Sequence, residues 1–145
     1  MIFEKCESLC KPDAKKIVSR DKGTPRKHIA KNPEQKFKVR QYQLDGDIFQ
    51  NIVCCDYLLL NDTSKMAYYI ELKGSNIGHA AEQLQAGEKL CADELQEYTF
   101  LFHIVASKMP TQRAYPLSYR KLMNRVGTRL KSATGEMVEE LTWKQ

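Results

Sequence analysis

A chain of 145 residues has room for one domain with a real core. Its hydrophobic content of 42% fits a globular chain, and no apolar run approaches the ~18–20 residues that a membrane span requires. The net charge of +5 is unevenly placed: the first forty residues hold 12 Lys/Arg against 5 Asp/Glu, and the remainder 11 against 13. The opening Met1–Cys6 lacks the apolar core of a secretory leader. Five cysteines, with Cys54 and Cys55 adjacent, make a poor disulfide framework and lead to the expectation of a reducing cytoplasm. Cys6 and Cys10 with His28 are half a zinc site at most, because no second Cys/His pair stands at finger-like spacing. Buried or idle thiols are the better reading.

Residues 1–36 form a basic segment. Asp13 follows Pro12 and precedes Ala14-Lys15-Lys16-Ile17-Val18, which predicts a short helix over Asp13–Arg20. A basic loop with Gly23, Thr24 and Pro25 follows. Lys15, Lys16, Arg26 and Lys27 can hold a phosphate backbone through counterion release, without sequence choice. The bland alternative is a solvated, mobile arm. Phe37 to Gln43 alternates and predicts a strand. Leu44-Asp45-Gly46-Asp47 is a turn, and Ile48 to Val53 is the expected returning strand. Asp45 and Asp47 suit the turn; ligating a metal is the less common role for such residues.

Cys55–Leu60 and Ala67–Gly74 read as two strands joined by a turn at Asn61-Asp62-Thr63-Ser64. Strand side chains alternate, so Met66, Tyr68, Ile70 and Leu72 face one way, and Ala67, Tyr69, Glu71 and Lys73 the other. Asp56 joins Glu71 and Lys73 if the first strand is long or curved. Carboxylates with a vacancy for water select a hard cation such as Mg2+. Such an ion neutralises a phosphate and lowers the pKa of bound water, and a lysine beside it stabilises the attacking hydroxide. An Asp…Glu-x-Lys pattern is common by chance, and an exposed Glu–Lys pair is worth only ~0–1 kcal/mol. Here, however, the charges interrupt strongly apolar runs, and Gly74 ends the strand where a ligand can approach.

His79 to Glu97 reads as a long helix with Ala80, Leu84, Gly87, Cys91 and Leu95 as its core stripe. His79 and Gln83 share a face beside that stripe, and the amino end of this helix would favour phosphate. Tyr98 to Ser107 reads as a buried strand, parallel to Ala67–Lys73 through a β-α-β unit. His103 within it reads as a satisfied core histidine. Lys108 to Pro116 is a loop. Leu117 to Lys131 reads as a second helix with Leu122, Met123, Val126 and Leu130 inward. Lys121, Arg125 and Thr128 lie on another stripe, which serves a nucleic-acid backbone or simply solvent. Residues 132–145 are acidic, and Met137 to Leu141 is either a last strand or a frayed tail. No Gly-rich phosphate loop, dinucleotide fingerprint or Gly-x-Ser-x-Gly elbow occurs, which removes the commonest competing enzyme classes.

Asp56, fourteen intervening residues and then Glu71-Leu72-Lys73 resembles the PD-(D/E)XK nuclease superfamily, which includes restriction-endonuclease-like enzymes and archaeal Holliday junction resolvases. The pattern covers about residues 37–107, and three residues carry its chemistry. The resemblance implies an α/β fold, a mixed central β-sheet with a helix on each side. It implies that Asp56 and Glu71 bind Mg2+ or Mn2+, with the Leu72 carbonyl joining them, that Lys73 acts on the water, and that Gln83 lines the active site. Cys55 stands where proline is frequent. Many members carry an extra acidic residue on an early helix, for which Glu4, Glu7 and Glu34 are the candidates. The expected function is therefore Mg2+-dependent hydrolysis of phosphodiester bonds, with DNA the favoured substrate and no membrane involved. A homodimer or a partner protein would be needed to cut both strands. The alternative from a different class is a non-catalytic nucleic-acid-binding or inhibitory module on the same fold.

Overall fold

The computed structural model describes residues 1–143. Its regular elements are β1 (Lys16–Arg20), β2 (Lys27–Lys31), β3 (Val39–Gln43), β4 (Tyr57–Asn61), β5 (Met66–Lys73), α1 (Ile77–Cys91), β6 (Thr99–Ala106), α2 (Leu117–Val126), β7 (Leu130–Thr134) and β8 (Glu136–Glu140), with short helical turns between some of them. Two sheets form. The larger has the order β3-β4-β5-β6-β7, and the smaller β1-β2-β8. Both are mixed: β3, β4 and β5 run antiparallel, β5, β6 and β7 parallel, and β8 joins the antiparallel β1–β2 hairpin in parallel with β2.

β5 sits at the centre, and its alternation builds two cores. Ala67 and Tyr69, with Phe102 and Ile104 of β6, meet Ala80, Ala81 and Leu84 of α1 and Tyr119, Leu122 and Val126 of α2. Tyr68, Ile70 and Leu72, with Val105, meet Ile17, Ala30 and Met137 from the smaller sheet. Each fully buried aliphatic side chain contributes about 1.5–3 kcal/mol, so both faces of the large sheet need a cover. Helices cover one and the small sheet covers the other. The chain is thus mixed α/β in three layers. The expected helix on each side is corrected: both helices lie on one face.

The reason lies in the basic segment. In place of the expected helix over Asp13–Arg20 stands a strand over Lys16–Arg20, because Ile17 and Ser19 alternate into the core while Lys16 and Arg20 stay exposed. The stretch read as a basic loop contains β2. Gly23 at φ 77° supplies the tight turn between them, a conformation that side chains rarely adopt. Ile48–Val53 is not a strand either. It curls back, with the Phe49 amide donating to the Leu44 carbonyl at 2.9 Å, and Ile52 and Val53 are exposed. The strand that actually pairs with β3 is β4. The second helix stops at Val126, where Gly127 takes φ 60° and turns the chain into β7, so Leu130 belongs to a strand and Met123 is exposed. Of the two readings for Met137–Leu141, the strand is the one found. Among the described residues no helix is long and apolar enough to cross a membrane, and all five cysteines are free thiols.

Candidate active site

The β4–β5 hairpin fixes the site by counting. Its register pairs Asn61 with Met66 and Tyr57 with Ile70, so one step further Asp56 lies opposite Glu71. Residues directly opposite in an antiparallel pair project from the same face, and here that face is the one beneath α1. Each acid accepts from the backbone of the facing segment. The Asp56 amide donates to Glu71 Oε1 at 3.1 Å, and the Leu72 amide donates to Asp56 Oδ2 at 2.9 Å. The remaining carboxylate oxygens accept no hydrogen bond from the described residues.

α1 supplies the other half. Its N-cap is Asn76, whose side chain accepts from the His79 amide at 3.0 Å. One turn on, Gln83 reaches the end of β5. The Lys73 ammonium donates to Gln83 Oε1 at 3.0 Å and lies 3.1 Å from His79 Nδ1. An ammonium can only donate, so that imidazole nitrogen accepts. Gln83 Nε2 donates in turn to the Cys54 carbonyl at 3.3 Å, tying the helix to the segment that leads into Asp56. Gly87 lets this segment pass under α1, since a Cβ there would stand 2.6 Å from Cys55 Sγ.

The electrostatics are unbalanced. Burial pushes the Asp56 carboxyl up to about 6 against the Leu72 amide, with the charges of Asp21 and Asp45 adding to the rise. Burial, then the charge of Asp56, pushes Glu71 up to about 9, with Lys73 opposing. Glu71 is only 2% exposed. Among the described residues no lysine or arginine comes within ion-pair distance of either carboxylate. Lys73 instead hydrogen-bonds the helix.

The structure brings Asp56, Glu71 and Leu72 together, and Lys73 and Gln83 beside them. The early acids are not among the charges that raise Asp56 and Glu71 most: Glu4, Glu7 and Glu34 are exposed, and Glu34 faces Lys36 at 3.3 Å. Those that are include Asp21, in the β1–β2 turn, and Asp45, in the β3–β4 loop. The turn comes close because the Tyr57 hydroxyl donates to the Arg20 carbonyl at 2.9 Å. A β1–β2 hairpin, signalled by Asp21-Lys22-Gly23, would have found Asp21.

The basic residues divide. Arg26 pairs with Asp21 and donates to Ser107 Oγ at 2.5 Å, just past β6, where the Ser107 amide meets the Lys73 carbonyl. This places Arg26 at the margin of the carboxylate cluster, with Lys27 next to it. Lys15 and Lys16 lie at the far end of β1, and Lys121 and Arg125 are exposed on α2, where Arg125 donates to Gln85 Oε1 at 3.2 Å. They form a scattered basic surface rather than one stripe. Compared with known proteins, the chain matches no family model, no curated protein and no solved structure.

Proposed function

We propose that this chain is a Mg2+- or Mn2+-dependent nuclease of the restriction-endonuclease-like kind, hydrolysing phosphodiester bonds, with DNA as the favoured substrate. The observation that carries the reading is the pair of facing carboxylates, half-buried Asp56 and buried Glu71, with no lysine or arginine in ion-pair range among the described residues. Buried charge is costly unless it is paired. Two carboxylates, each with one oxygen still free, are a donor set for a hard divalent cation. Asp56 and Glu71 would hold it, with the Leu72 carbonyl as the third oxygen that the family resemblance implies. The ion would supply charge to the scissile phosphate and lower the pKa of water.

The chain's own residues do the rest. Lys73, held by Gln83 and His79, stabilises negative charge on the attacking oxygen and on the phosphorus it attacks. Gln83 positions Lys73 and the Cys54 carbonyl at once. The amino end of α1 favours a phosphate beside it. The β3–β4–β5 meander followed by the β5–α1–β6 crossover supports the restriction-endonuclease-like topology, with the small sheet as this chain's departure from it. Arg26 and Lys27 border the cleft, while Lys15, Lys16, Lys121 and Arg125 extend the basic surface. A chain with one such site would cut both strands as a homodimer or with a partner protein. The free thiols support a reducing cytoplasm.

The near-complete burial of Glu71 favours a second reading, a non-catalytic nucleic-acid-binding or inhibitory module. One assay separates the two. Single- and double-stranded DNA and RNA are incubated with the protein and Mg2+ or Mn2+, with and without chelator. The nuclease reading expects cleavage that chelation abolishes while binding persists. Binding without cleavage under every condition would hand the fold to the second reading.

A further inference from the structure

The opposite face of the large sheet carries a second polar cluster, which the nuclease reading leaves unused. His28 of β2, His103 of β6 and Glu139 of β8 meet where the two sheets press together. The imidazoles are 0% and 1% exposed. Glu139 Oε2 lies 2.5 Å from His28 Nε2 and 2.7 Å from His103 Nδ1. The two rings are 5.7 Å apart between centroids, and Tyr68 packs edge-on against His103 at 5.5 Å.

As a hydrogen-bonded cluster this arrangement is incomplete. His28 Nδ1 has no partner, and neither ring nitrogen of His103 makes an aligned hydrogen bond, although Nδ1 is at ion-pair distance from the carboxylate. Each buried, unpartnered polar atom costs about 1–3 kcal/mol. A core built only for packing would give each imidazole its own carbonyl or hydroxyl. Here two imidazoles converge on one carboxylate oxygen, and the three candidate donor atoms lie within 4.8 Å of one another. The set is two nitrogens and one oxygen, which suits a borderline transition metal such as Zn2+ and not Mg2+. Tetrahedral bonds of about 2.0–2.2 Å set neighbouring donors about 3.3 Å apart, so Glu139 need retreat by under about 1 Å. His103 and Glu139 also line a cavity of about 540 Å3 bordered by Tyr68, Arg129 and Lys131, which gives an ion and its water a route to the cluster.

We propose that His28, His103 and Glu139 form a transition-metal site of the zinc class that ties β2 and β8 of the small sheet to β6 of the large one. The site is independent of the nuclease reading, since it shares no residue with Asp56 or Glu71.

The test uses the full chain, stripped with chelator and kept reduced, and titrated with Zn2+ or Mg2+. The readout is the ring-nitrogen resonances of 15N-labelled histidine, of which the chain has three. One equivalent of Zn2+ is expected to shift His28 and His103 and spare His79, and to raise Tm, while Mg2+ leaves His28 and His103 unmoved. His103→Gln and Glu139→Gln are expected to weaken Zn2+ binding by more than the ~10–100-fold that losing an outer partner costs. If these variants fail to fold, the wild-type spectra decide alone. The proposal is overturned if Zn2+ leaves His28 and His103 in place. It is equally overturned if the Co2+ form shows a thiolate charge-transfer band, which would put the ion on cysteine.

Discussion

The two faces of the large sheet each set an acid beside other titratable groups, Glu71 buried on one and Glu139 half-buried on the other, and the outcomes are opposite. At the end of β5, burial and the neighbouring Asp56 charge drive Glu71 up to about 9. Between the sheets, burial again acts to raise Glu139, but His103 and His28 outweigh it and hold the carboxyl at about 2. Burial alone does not decide the charge of a carboxyl; the hydrogen bonds and charges around it count as well, and at Glu139 the hydrogen-bonding from the two histidines counts first. The first cluster has no lysine or arginine paired with its carboxylates among the described residues, and on the proposed reading a hard dication would balance them. The second already has a settled anion and lacks something for its imidazole nitrogens to bind.

The largest expected effect falls on the first cluster. Lys73→Ala should lower Mg2+-dependent cleavage by about 10²–10³-fold, the scale of losing one preorganised electrostatic group, and added metal should not restore it. Glu71→Ala should also abolish cleavage, yet excess Mg2+ or Mn2+ should recover part of it. Initial rates across a metal titration check both; if Lys73→Ala cuts as well as wild type, the catalytic role of that lysine is lost.

Stability against pH comes next and should run in opposite directions for the two acids. An acid whose pKa is higher in the folded chain holds its proton more tightly there, so folding weakens as the pH rises from the ordinary value of 4.5 towards about 9 for Glu71. Glu139, with its folded value depressed, contributes stability above 4.5 that disappears as the pH falls towards about 2. Each effect should be about 1–3 kcal/mol, allowing for residual solvent. Urea unfolding of the metal-free protein measures it. Glu71→Gln should flatten the alkaline slope only, and Glu139→Gln the acidic slope only. For the same reason, Mg2+ binding near neutral pH should release protons, which calorimetry in buffers of different ionisation enthalpy detects.

Gly87→Ala should destabilise by about 1–3 kcal/mol, because the added methyl meets Cys55 Sγ, with a partial offset from better helix propensity. Thermal melts read the loss, and a neutral result would mean that the Cys54–Cys55 segment can shift freely under α1. The smallest effect concerns the basic surface. Replacing Lys15, Lys16, Arg26 and Lys27 by alanine should flatten the salt dependence of duplex binding by about 0.9 for each phosphate no longer neutralised. An unchanged slope would assign these residues to solvent or to a protein partner.

What is legible in the sequence follows from how local each signal is. The β4–β5 hairpin and the β5–α1–β6 unit are written in runs of adjacent residues. Strand periodicity correctly puts Glu71 and Lys73 on the face opposite Ile70 and Leu72. Lys16–Arg20 misleads because Pro12-Asp13 looks like a helix start, whereas Ile17 and Ser19 are held as strand by partners elsewhere in the chain. Ile48–Val53 has strand-like residues, but Gln43 pairs with Tyr57, so the place of a returning strand beside β3 is taken by β4. His103 reads as satisfied in the sequence because its partners, His28 and Glu139, come from strands distant along the chain. No local pattern announces such a meeting.

One of those distant pairings bears on how the protein comes to exist. β8 completes the small sheet by lying parallel to β2, with Lys27 opposite Glu136 and Lys31 opposite Glu140. During synthesis the β1–β2 hairpin emerges before β8, and the open edge of β2 waits while residues 32–135 are made. Contacts that span so much sequence slow folding, and an unpaired strand edge is where chains associate wrongly. The charges of Lys27 and Lys31 on that edge, matched later by Glu136 and Glu140, discourage two nascent hairpins from pairing with each other while leaving the proper partner attractive. The small sheet is thus a layer that stays incomplete until β8 has been made, with like charges along the waiting edge.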